Sequence, residues 1–332
     1  MAVQTSHAGA MRLLVLGGTE FVGAALVDEA LARGWEVTTF NRGTKPVPGG
    51  VRRIIGDRRE GITIDGEWDV VADTWSQEPS VVRASSHHLA GMAERYVYVS
   101  SRSVHSHPTA SGADEGAPTV DAASDDTSYD DYQRAKRGGE LAVLEAFGDS
   151  AVIVRPGLIL GPRENIGRLP YWLNRAARGG SILAPGPADG TFQYIDARDL
   201  ATFALSGLEP GAYSVVNRPG AATIGELLEL TLEVTGSTGT LRWADPAWLL
   251  AQNVEPWMQL PVWLPEGEDH ETMHEADVSK AFAAGLRVRP LRDTVESTWE
   301  WLRAIHGEAP RRPGVGLDPE REHQLITALI PI

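Results

Sequence analysis

Short apolar runs alternate with stretches of helical spacing through the first half of the chain. Arg12 to Leu16 is an apolar run that breaks at Gly17-Gly18, and Phe21 to Ala32 carries apolar residues at helical spacing before stopping at Arg33-Gly34. Glu36 to Phe40 and Val51 to Ile55 read as the next strands. Val70 to Ala72 follows as a strand, Pro79 to Ala93 as a helix and Tyr96 to Ser100 as a strand. A helix from about Asp130 to Phe147 and a strand over Ala151 to Val154 complete the series. This alternation predicts an α/β fold with a parallel sheet covered by helices. Between Ser106 and Ser128 the chain is rich in Asp, Ser, Ala, Thr and Pro and reads as a surface loop.

After Arg155-Pro156 the texture changes. Gly and Pro punctuate residues 156 to 190, and Trp172, Trp243, Trp248, Trp257 and Trp263 follow, so a smaller C-terminal lobe is expected. Helical spacing marks Ala201 to Leu208, Ile224 to Thr235, Leu291 to Ile305 and Glu320 to Leu329. The expected organisation is a leader over residues 1–10, a nucleotide-binding core over 11–160 and about 190–220, and a substrate-binding lobe over about 161–189 and 221–332.

A hydrophobic content of 42% over 332 residues supports a substantial core. The formal charge of −15 and pI near 5.0 argue against a nucleic-acid partner, which calls for a basic field. With no cysteine there is no disulfide framework, thiolate metal site or thiol nucleophile. Residues 1–10 are polar and do not read as a signal peptide, and no apolar run approaches membrane-spanning length, so a cytoplasmic location is the default expectation.

Candidate chemistry begins with Tyr132-Gln133-Arg134-Ala135-Lys136. Residues four apart on a helix share a face, which sets Lys136 beside Tyr132, where an ammonium favours the phenolate and brings the phenol toward proton exchange with a hydroxyl or carbonyl. Ser101, after the run Tyr96 to Ser100, is placed to hydrogen-bond the same oxygen. In Leu16-Gly17-Gly18-Thr19-Glu20-Phe21-Val22-Gly23 the glycines follow a strand and open a helix, as a dinucleotide-binding turn requires. Gly17 allows the tight turn, Gly23 allows close helix–strand packing, and backbone amides at the helix start face a pyrophosphate. Glu20 departs from the fingerprint, and its carboxylate must point away. Asn41-Arg42 replaces the acidic residue that would accept ribose hydroxyls, so NADP is favoured, with NAD as the alternative. Asp57 is placed to accept from the adenine amine. The fold class is therefore α/β, a Rossmann-type doubly wound parallel sheet with a smaller C-terminal substrate-binding lobe.

These residues together resemble the extended and atypical short-chain dehydrogenase/reductase superfamily, the NAD-dependent epimerase/dehydratase type. The resemblance extends to Tyr98 through His105, Arg155 through Pro162 and Phe192 through Leu200. It implies that Ser101, rather than Ser100, is catalytic with Tyr132 and Lys136. It further implies that Lys136 binds the nicotinamide ribose, that Thr19, Phe21, Val22, Pro156 and Gly157 border the cofactor, and that the chain forms a homodimer. The Gly-Gly-Thr-x-Phe-Val-Gly form and Asn41-Arg42-Gly43 are similar to a bacterial branch near the chloroplast stem-loop RNA-binding proteins. No Asn occurs between Asn41 and Asn165, so that part of the family's proton relay is absent or replaced. Ser101-Arg102-Ser103 supplies no acid pair, which argues against elimination of water.

The expected activity is interconversion of a carbonyl and a secondary alcohol on a small molecule. An NAD-dependent nucleotide-sugar epimerase and a non-catalytic cofactor-binding regulator or RNA-associated protein are the alternatives. Ser103, His105, Trp172, Gln193 and Trp257 are the candidate substrate contacts. His270-Glu271-Thr272-Met273-His274 matches H-E-x-x-H in letters, yet no helix is expected there and the resemblance implies a short strand, so no metal is expected.

Overall fold

Leu13 and Val15 lie in one apolar core and Leu14 and Leu16 in another, all four 0–2% exposed, as the two-residue period of a strand buried on both faces dictates. The computed structural model describes residues 9–329, so residues 1–8 of the expected leader lie outside the described residues, while Gly9 and Ala10 are exposed. The chain runs β1 (Arg12–Leu16), α1 (Phe21–Ala32), β2 (Glu36–Asn41), β3 (Arg52–Ile55), β4 (Trp68–Asp73), α2 (Pro79–Leu89), β5 (Ala93–Val99), α3 (Tyr132–Phe147) and β6 (Ala151–Pro156). It continues through β7 (Leu158–Leu160), α4 (Arg168–Ala177), β8 (Ser181–Pro185), β9 (Tyr194–Asp196), α5 (Ala197–Ala204), β10 (Gly211–Val215), α6 (Ile224–Thr235) and β11 (Thr240–Ala244). The last elements are α7 (Pro246–Ala251), β12 (Pro256–Trp257), β13 (Leu260–Pro261), α8 (Glu268–His274), α9 (Ser279–Ala283), α10 (Leu291–Ala304) and α11 (Pro319–Ala328).

Seven strands form one sheet in the order β10-β6-β5-β4-β1-β2-β3, and every pair in it is parallel. The fold is α/β and Rossmann-like. Order reverses between β1 and β4, so the chain leaves these neighbours in opposite directions and opens a crevice beyond their carboxyl ends. Helices α1 and α5 cover one face with Leu26, Val27, Leu200 and Phe203, and α2 and α3 cover the other with Val82, Leu89, Ala142 and Val143. A further apolar core gathers Trp172 and Leu173 of α4, Leu183 of β8, Leu227 and Leu228 of α6, and Val295 and Leu302 of α10.

Four details differ from the sequence expectation. Helix α2 ends at Leu89 because Gly91 turns the chain with φ +82° and Ala93 already pairs with Trp68. Helix α5 starts earlier than Ala201, since Asp196 caps it by accepting from the Arg198 amide at 2.8 Å. The H-E-x-x-H segment is helical, as α8, rather than a strand. The 106–128 loop is fastened to the sheet: Glu115 Oε1 accepts from the Ser214 amide at 2.6 Å, and its carbonyl accepts from Arg155 at 3.1 Å. Among the described residues no helix is long and apolar enough to cross a membrane.

Candidate active site

The crevice between β1 and β4 is a cavity of about 340 Å³ whose walls include Gly17, Gly18, Thr19, Arg42, Asp57 and Trp75. The glycine turn is built for close approach. Gly18 has φ +85°, and a Cβ there would meet Thr39 Cγ2 at 2.8 Å. A Cβ on Gly23 would meet the Gly18 amide nitrogen at 2.9 Å, so α1 starts against the turn only if residue 23 has no side chain. Phe21 and Val22 face the core behind the turn rather than the crevice. Asn41 ties the turn down, donating to the Gly17 carbonyl at 3.1 Å and accepting from the Gly43 amide at 2.9 Å. Its side chain is therefore occupied in scaffolding. Asp57 caps a short turn by accepting from the Arg59 amide at 3.0 Å and still borders the crevice.

Glu20, the departure from the fingerprint, is drawn aside by Lys45 at 2.7 Å and by Asn165, which donates at 3.0 Å. The Lys45 contact holds its carboxyl below the usual range, with burial opposing and Asn165 assisting. Arg42 is exposed at the crevice and has no ion pair among the described residues. These features fit a nicotinamide dinucleotide, with amides free of side-chain bulk for a pyrophosphate.

Ser101, Tyr132 and Lys136 come together beyond the carboxyl end of β5, though not as the helical spacing alone implies. Lys136 is 3% exposed, and its Nζ donates to the carbonyls of Trp75 at 2.6 Å and Val99 at 2.7 Å. Burial lowers its ammonium to about 7, with Asp73 and Glu140 resisting. The Trp75 carbonyl thus joins Lys136 to a residue of the crevice wall. Tyr132 is 45% exposed but has protein on several sides, and the partial loss of water pushes its phenol upward. The Ser101 hydroxyl, Arg312 and Arg168 pull it back, in that order. Arg312 and Arg168 thus supply positive charge at the phenol. Ser101 Oγ also lies 3.1 Å from Ser103 Oγ and accepts from the Ser103 amide at 3.1 Å.

Ser100 is committed elsewhere. Its hydroxyl donates to Glu140 Oε1 at 2.6 Å, and Arg155 reaches both carboxylate oxygens at 2.7 and 2.8 Å. Burial pushes Glu140 up, but Arg155, Ser100 and Arg137 outweigh it and leave it below the usual carboxylate range. Arg58 and Asp73 make a second buried pair at 2.7 and 2.8 Å, with the guanidinium 5.0 Å from the Trp75 ring centre. Both pairs stiffen the floor beneath Lys136.

The candidate substrate contacts divide. Trp172 is 1% exposed and donates to the Pro261 carbonyl at 2.8 Å, so it packs the distal core. Gln193 is 0% exposed, with its amide donating to the Asn217 and Ala276 carbonyls and accepting from the Ala276 amide. Both are thus buried and hydrogen-bonded within the core. His105 is buried against the Ala117 carbonyl at 3.2 Å, and burial lowers its imidazole. Gly157 packs on Val216 and Arg102, and Pro156 ends β6 in the core, away from the crevice walls. Ser103 stays beside Ser101. Trp257 is half-buried with φ +65°, an uncommon conformation for a bulky residue, and carries the Arg168 guanidinium 5.1 Å from its ring centre.

In α8 the two imidazoles sit 5.2 Å apart but are engaged separately: His270 Nε2 with the Thr191 carbonyl at 2.9 Å, and His274 Nδ1 accepting from the Gln193 amide at 3.1 Å. Burial lowers His274 to about 3, as suits a neutral core imidazole. Sequence reasoning missed Arg58, Trp75, Arg168 and Arg312. Trp75 could have been found from its place just after β4 at the switch point, where ligands bind; the three arginines carry no local signal.

Residues 79–217 match the model of the NAD dependent epimerase/dehydratase family. A dTDP-4-dehydro-6-deoxy-D-allose reductase from Streptomyces bikiniensis is 28% identical over 208 residues, 56% of this chain and 57% of that protein. A chloroplast stem-loop binding protein of 41 kDa from Arabidopsis thaliana is 25% identical over 243 residues, 66% of this chain and 61% of its own length. The chain thus matches less than two thirds of the length of these curated relatives. Among solved structures, the Bordetella bronchiseptica enzyme WbmG in complex with NAD and UDP superposes with a TM-score of 0.65 at 17% identity, covering 93% of this chain and 100% of that one. A Thermus thermophilus UDP-glucose 4-epimerase in complex with NAD gives 0.59 at 21% identity, over 88% and 99% of the two chains.

Proposed function

We propose that this chain, which has the fold and the sequence marks of the extended short-chain dehydrogenase/reductase superfamily, is an NADP-dependent oxidoreductase that interconverts a carbonyl and a secondary alcohol. The observation that carries the reading is the meeting of Ser101 and Tyr132 beyond β5, with Lys136 joined through the Trp75 carbonyl to the glycine-lined crevice. Gly17, Gly18, Thr19 and the first amides of α1 would hold the pyrophosphate, Arg42 the ribose phosphate, and Asp57 the adenine. When bound, the nicotinamide supplies hydride exchange with the carbinol carbon. Tyr132 Oη gives its proton to the carbonyl oxygen as the alcohol forms, and takes it back in the reverse direction. Ser101 Oγ donates to that same oxygen and fixes its position. Lys136, held by the Trp75 and Val99 carbonyls with its ammonium lowered to about 7, would bind the nicotinamide ribose and favour proton exchange at Tyr132. The elements over 161–189 and 221–332 form the substrate lobe in this reading, and α2 and α3 the dimer face.

The 28% identical relative named as a reductase favours net redox chemistry. The solved epimerases of the same fold favour a second reading, in which a retained dinucleotide oxidises and re-reduces a nucleotide sugar. The stem-loop-binding relative suggests RNA association, which a net charge of −15 opposes. Tyr132→Phe tests the first reading against a panel of carbonyl compounds with NADPH. Cofactor affinity should persist while turnover falls by on the order of 10³-fold. Unchanged turnover overturns the assignment; epimerisation without net NADPH consumption selects the second reading.

A further inference from the structure

The carbonyl that holds Lys136 has its own place fixed from below. Trp75 O accepts from Lys136 Nζ at 2.6 Å and from the Tyr98 hydroxyl at 2.9 Å. The Trp75 amide donates to Asp73 Oδ1 at 2.9 Å, and the indole nitrogen donates to the Glu78 carbonyl at 3.2 Å. Asp73 is the last residue of β4 and is fully buried. Besides the Trp75 amide its carboxylate accepts from Arg58 Nη1 and Nη2 at 2.7 and 2.8 Å and from the Tyr96 hydroxyl at 2.7 Å. Arg58 is anchored in turn on α2, donating to Ser85 Oγ at 2.9 and 3.1 Å, while Ser85 donates to the Val81 carbonyl at 2.8 Å. A buried ion pair of this kind seldom stabilises a fold more than an apolar pair of the same volume. Four donors on one carboxylate do fix its orientation, and the Trp75 amide is one of the four.

We propose that Asp73, locked by Arg58 and Tyr96, is a positioning residue for Lys136, a role that rests on the reading of Lys136 as the group that would bind the nicotinamide ribose. Asp73 sets the Trp75 main chain and so the direction in which the Trp75 carbonyl holds the ammonium. Neither Asp73 nor Arg58 forms a hydrogen bond or ion pair with Lys136 among the described residues, so both act through Trp75. The pair thereby ties Lys136 to the end of β4, to α2 and to the residue that follows Asp57.

The chain contains three lysines, Lys45, Lys136 and Lys280, so Lys136 can be followed by magnetic resonance in protein whose lysines carry heavy nitrogen at Nζ. The double variant Arg58→Gln/Asp73→Asn neutralises both partners and leaves no charge buried alone. At about pH 6 its Lys136 Nζ resonance should move, and exchange of the ammonium protons with water should quicken by about tenfold or more, the equivalent of one hydrogen bond to a charged group. Turnover should fall by about 10- to 100-fold with the KM for the carbonyl compound changed less than about threefold, as misplacement of a held group entails. Arg175→Gln/Glu322→Gln removes another buried pair, 2.6 Å apart between α4 and α11, and should leave the Lys136 resonance and exchange at their wild-type values. Tyr96→Phe withdraws one donor from Asp73 with every charge in place, and should move the resonance in the same direction but less far. Wild-type Lys136 behaviour or wild-type turnover in the folded double variant overturns the proposal, as does an equal effect from the Arg175/Glu322 variant. If the double variant does not fold, wild-type Lys136 behaviour in Tyr96→Phe overturns it. The lysine spectrum needs no turnover, so retained activity in Tyr132→Phe would overturn the proposed reaction while leaving the link from Asp73 to Lys136 to be judged on the spectrum.

Discussion

Replacing Lys136 with methionine isolates the energetic consequence of burying an ammonium under the site. Its fall from an ordinary 10.5 to about 7 corresponds to about 5 kcal/mol of preference for the neutral amine in the folded chain. The Trp75 and Val99 carbonyls favour the charged form, so this is an upper bound. Because the folded value lies below the unfolded one, the unfolded chain binds the extra proton between about pH 7 and 10.5, and stability rises with pH across that window. Below the folded value the penalty is present in full. From pH 6 to pH 9 the wild type should gain about 2.5 kcal/mol of unfolding free energy relative to Lys136→Met. The variant also leaves two carbonyls without a donor, at roughly 1 to 3 kcal/mol each, so the two proteins should be of similar stability at pH 6 and the wild type clearly ahead at pH 9. Urea unfolding of both proteins at several pH values measures the difference directly, since subtraction removes every other titrating group. A difference that stays flat within about 0.5 kcal/mol would show that Lys136 titrates normally, refuting the reasoning from burial.

Glu140→Gln should cost about 3 to 5 kcal/mol in urea unfolding, because it leaves Arg155 buried without its charge partner. As Glu140 is lowered in the folded state, the wild-type advantage should be complete above the unfolded carboxyl value and fade as pH falls through the folded one. Arg42→Ala should reduce the preference for NADPH over NADH by about 10- to 100-fold in fluorescence titrations, the worth of one or two charge-assisted hydrogen bonds; an unchanged ratio removes Arg42 from the phosphate site. Gly23→Ala forces a methyl against the Gly18 amide and should lower stability by about 1 to 3 kcal/mol while weakening cofactor binding; a variant with wild-type affinity would show that the turn can yield. In the difference spectrum against Tyr132→Phe, Arg312→Gln should move the Tyr132 phenol further upward, since it removes a stabilising positive charge. A downward movement would mean that Arg312 acts by excluding water instead.

Local sequence carried a great deal where one side chain could satisfy a local demand. Helix α1 occupies Phe21–Ala32 as its spacing predicts, because the glycine turn before it and Arg33-Gly34 after it mark both ends. Helix α5 was misplaced because its start depends on Asp196 capping the Arg198 amide after β9, a strand with no alternating pattern to reveal it. Helix α8 was read as a strand for a similar reason: seven residues with no apolar stripe are helical through contacts made elsewhere, including Arg102, which donates at 2.9 Å to the Thr272 and Met273 carbonyls. Trp172 and Gln193 looked like pocket residues on composition, yet burial and hydrogen-bond satisfaction assign them to the core.

By itself, then, the sequence determined the α/β alternation and the glycine turn and offered Ser101, Tyr132 and Lys136 as candidates, since strand and helix periods and turn chemistry act within a few residues. The tertiary structure decided which charges meet. It turned Lys136 toward two main-chain carbonyls, paired Glu20 with Lys45, buried Glu140 against Arg155, and brought Arg168 and Arg312 to the phenol from positions far apart in the chain. Electrostatic environment depends on distance and burial in space, and neither is encoded in the spacing of letters along one segment.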